Sequence, residues 1–290
     1  MTEYGWPVLY VLFVWWFSTG AVLYVIGLPR RMYPALLAAA SALSGLAIYG
    51  LATSADDGSV TGAYLAFTAA LVVWGWHEMS FLTGLVTGPR TTPLSTGAVG
   101  MTRFREASET LLYHEIAIVL TLVVIGAVTL GQSNETGFWT FFVLWAMRLS
   151  AKLNVYFGVP NLTEEFLPPH LTYLKTYFRR QPMNLLFPVS VTASTIAAVA
   201  VAMAAAGSPS EGQGAGLALV TALLVLAIIE HWFLVLPIPA AALWTWGLAS
   251  RDLPSVEDLR SSVPEADRSP SLPPRAAVIG LDEKRSWSAS

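Results

Sequence analysis

The run PVLYVLFVWWFSTGAVLYVIGL, from Pro7 to Leu28, holds 22 residues without one Asp, Glu, Lys or Arg. A bilayer core of about 30 Å is crossed by a helix of about 20 apolar residues, so this stretch reads as a spanning helix. It is too long for the apolar part of a cleaved leader and only Glu3 precedes it as a charge, so it reads as retained. The same template finds further segments near residues 34–53, 62–87, 109–130, 137–158, 184–206 and 215–248. The third and last exceed what a bilayer requires, which implies tilt or extension past the headgroups.

Bulk properties agree. Of 290 residues 54% are hydrophobic and 12% charged, with mean hydropathy +0.57, too few charges to cover a soluble surface. The net charge of -3, with no basic stripe to track phosphates, excludes nucleic acid as a partner. No cysteine occurs, so thiolate metal sites, iron–sulfur clusters and a cysteine nucleophile are excluded; any metal must be held by His, Asp and Glu. The expected fold is all-α, a polytopic membrane helix bundle of about seven spans over residues 1–250. A disordered, Ser- and Pro-rich tail is expected over 251–290.

Basic residues gather on the cytoplasmic side of membranes. Arg30 and Arg31 follow the first span, Arg90, Arg103 and Arg105 the third, and Lys175, Arg179 and Arg180 the fifth. The alternate loops, 55–61, 131–136 and 207–214, have no Lys or Arg. The amino terminus is therefore expected in the periplasm and the carboxyl terminus in the cytoplasm. Between Pro160 and Pro182, Leu171, Leu174, Tyr177 and Phe178 oppose Lys175, Arg179 and Arg180, which suggests a short amphipathic helix on the cytoplasmic interface. No internal repeat is evident, which disfavours a transporter.

Ionisable side chains within spans are costly and therefore informative. Every histidine has an acidic companion: His77 with Glu78, His114 with Glu115, His170 with Glu164 and Glu165, and His231 with Glu230. Arg148 and Lys152 lie one turn apart on the fifth span. Most of these fall at one depth, towards the cytoplasmic side. Three readings stand open: a site for iron or another divalent metal built from these His and Glu residues, a network of ion pairs, and histidines that ligate a pigment. The Glu-x-x-His spacing of di-iron bundles is absent. Gly84 and Gly88 form a Gly-x-x-x-Gly that would suit close helix contact. Trp15, Trp16, Trp74, Trp76, Trp232, Trp244 and Trp246 suit either interface anchoring or stacking on a macrocycle.

Beyond composition, the motifs Trp15-Trp-Phe-Ser-Thr-Gly20, Gly27-Leu-Pro-Arg30, Phe81-Leu-Thr-Gly84 through Thr87-Gly-Pro-Arg90, Thr110-Leu-Leu-Tyr-His-Glu115, Met147-Arg-Leu-Ser-Ala-Lys-Leu-Asn154, Glu164-Glu-Phe-Leu-Pro168 and Met183-Asn-Leu-Leu-Phe-Pro188 resemble the PuhE family, over roughly residues 7–190. The resemblance implies a multi-pass protein of the bacterial inner or intracytoplasmic photosynthetic membrane. Its genes accompany that of the reaction-centre H subunit, and its members are associated with assembly of the photosynthetic apparatus. Implied partners are the lipid bilayer and reaction-centre or light-harvesting components or pigment-synthesis enzymes, with bacteriochlorophyll as an implied cargo. No catalytic residues carry over from the family, so two functions stand at this point: an assembly or bacteriochlorophyll-supply factor, and a metal-dependent oxidoreductase using the His/Glu pool.

Overall fold

A computed structural model describes residues 2–162 and 164–252. The helices are α1 (Thr2–Gly27), α2 (Tyr33–Thr53), α3 (Val60–Leu82), α4 (Gly100–Glu109), α5 (Leu112–Thr129), α6 (Thr136–Phe157), α7 (Leu186–Ala206), α8 (Glu211–Phe233) and the single turn α9 (Thr245–Leu248). Short 3-10 segments cover Arg30–Met32, Glu164–Phe166, Pro169–Tyr177, Ala240–Trp244 and Ala249–Asp252. No strand occurs among the described residues. Six helices, α1, α2, α3, α5, α7 and α8, are long and apolar enough to cross a membrane, which makes this a multi-pass membrane protein. The α6 helix, at 22 residues, is about 33 Å long, but Arg148 and Lys152 make it less apolar.

Local chemistry sets the helix starts. Ser59 caps α3 by accepting from the Gly62 amide (3.0 Å), and Ser210 caps α8 by accepting from the Gln213 amide (3.3 Å). Ahead of α7, the Asn184 side-chain oxygen accepts from the amides of Leu186 and Phe187 at 2.9 and 3.1 Å. The α8 helix is central: Leu219 and Leu223 are buried with Phe67 of α3, Val11 of α1 and Val143 of α6. Around it, α2 exposes Leu43, Leu46 and Tyr49 and α7 exposes Ile196, Val199 and Met203, the surface a lipid solvent accepts.

Several element boundaries differ from the sequence reading. The last span does not run to residue 248: α8 stops at Phe233, before Pro237 and Pro239, whose missing amides cannot continue a helix. The chain then folds back on α1. Trp244 Nε1 donates to the Trp16 carbonyl (2.9 Å), Trp16 Nε1 to the Leu243 carbonyl (2.8 Å), and Ser250 Oγ to the Tyr24 carbonyl (2.7 Å). The third span stops at Leu82 instead of 87. Gly84 takes the left-handed region (φ 82°), and the amides of Leu85 and Val86 turn back to the Ser80 carbonyl. Gly84 and Gly88 therefore do not share a helix face.

The short helix expected after α6 is present, as 3-10 helix. Its buried residues Leu171, Leu174 and Tyr177 recur every third position, the 3-10 repeat. The α4 helix, short and polar, falls in a stretch that the sequence reading leaves between spans. Arg251 still belongs to the bundle, donating to the Phe166 carbonyl at 2.9 Å. The expected tail beyond it, from residue 253, lies outside the described residues.

Candidate functional site

Adjacent residues on an α-helix point about 100° apart, so a His beside a Glu in sequence is not its partner in space. The structure sorts them accordingly. On α3, His77 is buried and meets Thr121 of α5 through Nε2 at 3.0 Å, whereas Glu78 turns to Arg148 of α6, Oε2 to Nη2 at 3.2 Å. On α5, His114 is buried beside Phe81, and Glu115 turns to α6, where Lys152 Nζ lies 2.7 Å from Oε1 and Trp145 Nε1 donates to Oε2 at 3.2 Å. Arg148 and Lys152, four residues apart, thus present their charges from one face of α6 to α3 and α5.

On α8, Glu230 accepts from Trp15 Nε1 of α1 at 2.7 Å, and Arg148 is within its electrostatic reach. His231 points the other way. Its Nδ1 lies 2.8 Å from the Ala227 carbonyl and so carries a proton, and its Nε2 meets Ser150 Oγ at 2.9 Å. Ser150 is bonded to Ser190, which Asn154 also contacts, a polar chain tying α6, α7 and α8 together.

The remaining candidates lie outside the bundle centre. Glu164 pairs with Arg180 at 2.8 Å and Lys175 at 3.5 Å, and its hydrogen bond with Arg180 holds its carboxyl below the usual carboxylate range. Glu165 is exposed. His170 packs against Gly84, and burial, with Arg30 nearby, pushes its imidazole below the usual value. The rings of His77 and His114 approach with centroids 6.3 Å apart, but among the described residues no three His, Asp or Glu side chains are grouped so that they could hold one metal ion.

What brings most of the cluster together is a cavity of about 420 Å³ between α1, α3, α5, α6 and α8. Ligand sites commonly measure about 300–1,000 Å³ with mostly apolar walls and a few convergent polar groups. Here the walls include Trp15, Trp74, Phe81, Leu223 and Trp244, and the polar groups are Glu78, His114, Arg148, Lys152 and Glu230. Arg148 keeps 48% of its side-chain surface accessible. It is one of the residues that line the cavity. Glu78 Oε1 and His114 Nδ1 are buried without hydrogen-bond partners. Below the cavity, the 3-10 segments contribute Phe166, Leu174 and Tyr177. Tyr177 is held there by Arg90 Nε at 2.6 Å, and Arg90 in turn pairs with Glu106 at 2.8 Å. The Ser95 amide, with Arg90, keeps the Glu106 carboxyl below its usual range.

The sequence carries no signal for the cavity itself. It singles out Glu78, His114 and Glu230 as ligands, and Arg148 and Lys152 as their partners, but the apolar wall is assembled from residues that any spanning helix carries.

Fold and cavity define the class: a multi-pass membrane helix bundle with an internal, polar-centred cavity. The chain belongs to the family described as "Protein of unknown function (DUF3623)", which it matches over residues 1–255. It is 43% identical over 264 residues to the "Uncharacterized 30.4 kDa protein in puhA 5'region" of Rhodobacter capsulatus, covering 89% of this chain and 93% of the relative. No solved structure is significantly similar.

Proposed function

We propose that this protein is a factor of the bacterial photosynthetic membrane that serves assembly of the reaction-centre and light-harvesting complexes by holding an apolar molecule, bacteriochlorophyll or a component of its supply, inside the bundle. The observation that carries the binding role is the cavity of about 420 Å³, which gathers Glu78, His114, Arg148 and Glu230 behind aromatic walls. The photosynthetic setting is supported by the PuhE-like motifs and by a relative whose name sets it beside puhA. The basic loops at one end of the bundle support a cytoplasmic location for that end, where assembly partners and pigment-synthesis enzymes would dock.

The test is genetic and spectroscopic. Deleting the gene in a phototrophic host should lower the near-infrared bands of the membrane. Wild type should restore them, and Leu223→Trp, which fills the cavity, should not. Unchanged bands in the deletion strain would end this reading. Pigment absorbance of the purified protein identifies the cargo.

The metal-dependent oxidoreductase keeps His77 and His114 as its nearest histidine pair, and elemental analysis of the same preparation decides it. Stoichiometric iron, manganese or zinc that disappears in His114→Ala would move the function to an enzyme.

A further inference from the structure

The cavity's hydrogen-bonding inventory narrows the chemistry of its occupant. Among the described residues Arg148 donates one bond, to Glu78, and its other N–H groups lie on a side chain that lines the cavity and is 48% accessible. Lys152 likewise gives one bond, to Glu115, and is 23% accessible. The polar centre therefore has spare donors that ask for acceptors, whereas the unpartnered Glu78 Oε1 is buried out of an occupant's reach.

Charge points in a different direction. Arg148 is matched by Glu78 and Lys152 by Glu115, and Glu230 is a further carboxyl whose hydrogen-bond donor is the neutral indole of Trp15. Two cations already face three carboxyl groups, so an anionic ligand would add an unbalanced charge to a low-dielectric interior. Neutral oxygen acceptors satisfy the spare donors without that cost. His114 lies in the same wall, with its Nδ1 buried and unpartnered. The rest of the wall, Trp15, Trp74, Phe81, Leu223 and Trp244 among it, accepts hydrocarbon or flat rings.

We infer that the cavity selects a neutral, largely apolar molecule that presents carbonyl oxygens, of a ketone, ester or quinone, to Arg148. This rests on the binding role proposed above and names the class of its ligand. The test uses three diazirine-bearing C14 probes on the full-length protein in nanodiscs at pH 8: a methyl ketone, the plain hydrocarbon and the carboxylic acid. Crosslinks are mapped by mass spectrometry. The ketone should label α3, α6 and α8 residues lining the cavity about tenfold more than either other probe, the worth of a hydrogen bond to a charged donor.

Leu223→Trp should remove that labelling. Arg148→Met combined with Glu78→Leu, which removes the donors at this position without stranding the carboxylate, should remove the preference for the ketone; thermal melts confirm that both proteins are folded. Equal or stronger cavity labelling by the acid would make this an anion site. Equal labelling by the hydrocarbon, or a ketone preference that survives in Arg148→Met with Glu78→Leu, would remove Arg148 as the recognition group. No cavity labelling by any probe would overturn the ligand site as a whole. None of these results depends on the deletion phenotype, so a wrong ligand class and a wrong cellular role fail separately.

Discussion

Lys152 and Glu115 show what the ionisable residues do for the bundle. Their side chains meet at 2.7 Å and are 23% and 18% accessible, so each removes most of the other's cost of burial. Cutting one partner strands the other: Lys152→Met should destabilise by about 3 kcal/mol or more, whereas Lys152→Met combined with Glu115→Leu should recover most of the loss. Thermal melts in detergent measure both, and a double variant no better than the single would mean that the pair contributes nothing as a pair. Residue types at this site are legible in the sequence, because charge in a span is conspicuous. Pairings are not. His77 and Glu78 look like companions on the page and diverge to Thr121 and Arg148, since successive helix positions face different neighbours.

At the scale of elements, backbone packing fixes where helices start and cross. A Cβ on Gly212 would collide with the Gly58 carbonyl oxygen, and one on Gly88 with that of Glu109. Neither obstacle is a flexible side chain, so with a methyl added α8 cannot keep its seat on the α2–α3 turn, nor residue 88 its contact at the end of α4. Gly212→Ala and Gly88→Ala should each cost at least about 1–3 kcal/mol, as overpacking does. Gly45→Ala, with open space around the new methyl, should be neutral or should stabilise α2 by about 0.5–1 kcal/mol. Melting temperatures of the three variants check the contrast. Sequence patterns place the helices well, since span length and apolarity are local properties. They misjudge the ends after Leu82 and Phe233, where a left-handed glycine and two prolines close the helix inside an apolar run. They find the segment Pro169–Tyr177 as a helix without its type, because amphipathy alone does not separate repeats of three residues from those of the α-helix.

For the whole molecule, the distribution of basic residues between the loops bears on direction across the membrane. We propose that Arg30, Arg31, Arg90, Arg103, Arg105, Lys175, Arg179 and Arg180 mark the cytoplasmic end, and that the loops with Asp57 and Glu135 mark the periplasmic end. The absence of cysteine makes the test clean. In spheroplasts, Ser133→Cys should react with a membrane-impermeant maleimide and Ser95→Cys only after lysis, and the reverse pattern would invert the topology. Both positions are exposed.

The sequence by itself determined that this is a helical membrane bundle. Without water in the bilayer core, each spanning segment must satisfy its own backbone hydrogen bonds, and the length and apolarity that this demands are written locally. Only the tertiary structure decided which charges pair, that α8 ends at Phe233 with the chain returning to α1, and that a cavity opens among α1, α3, α5, α6 and α8. Those features depend on how each helix is rotated against its neighbours. A helix apolar on all sides carries no stripe that fixes this rotation, so it is settled by close contacts such as Gly212 on Gly58 and Gly137 on Leu51, residues far apart in the chain.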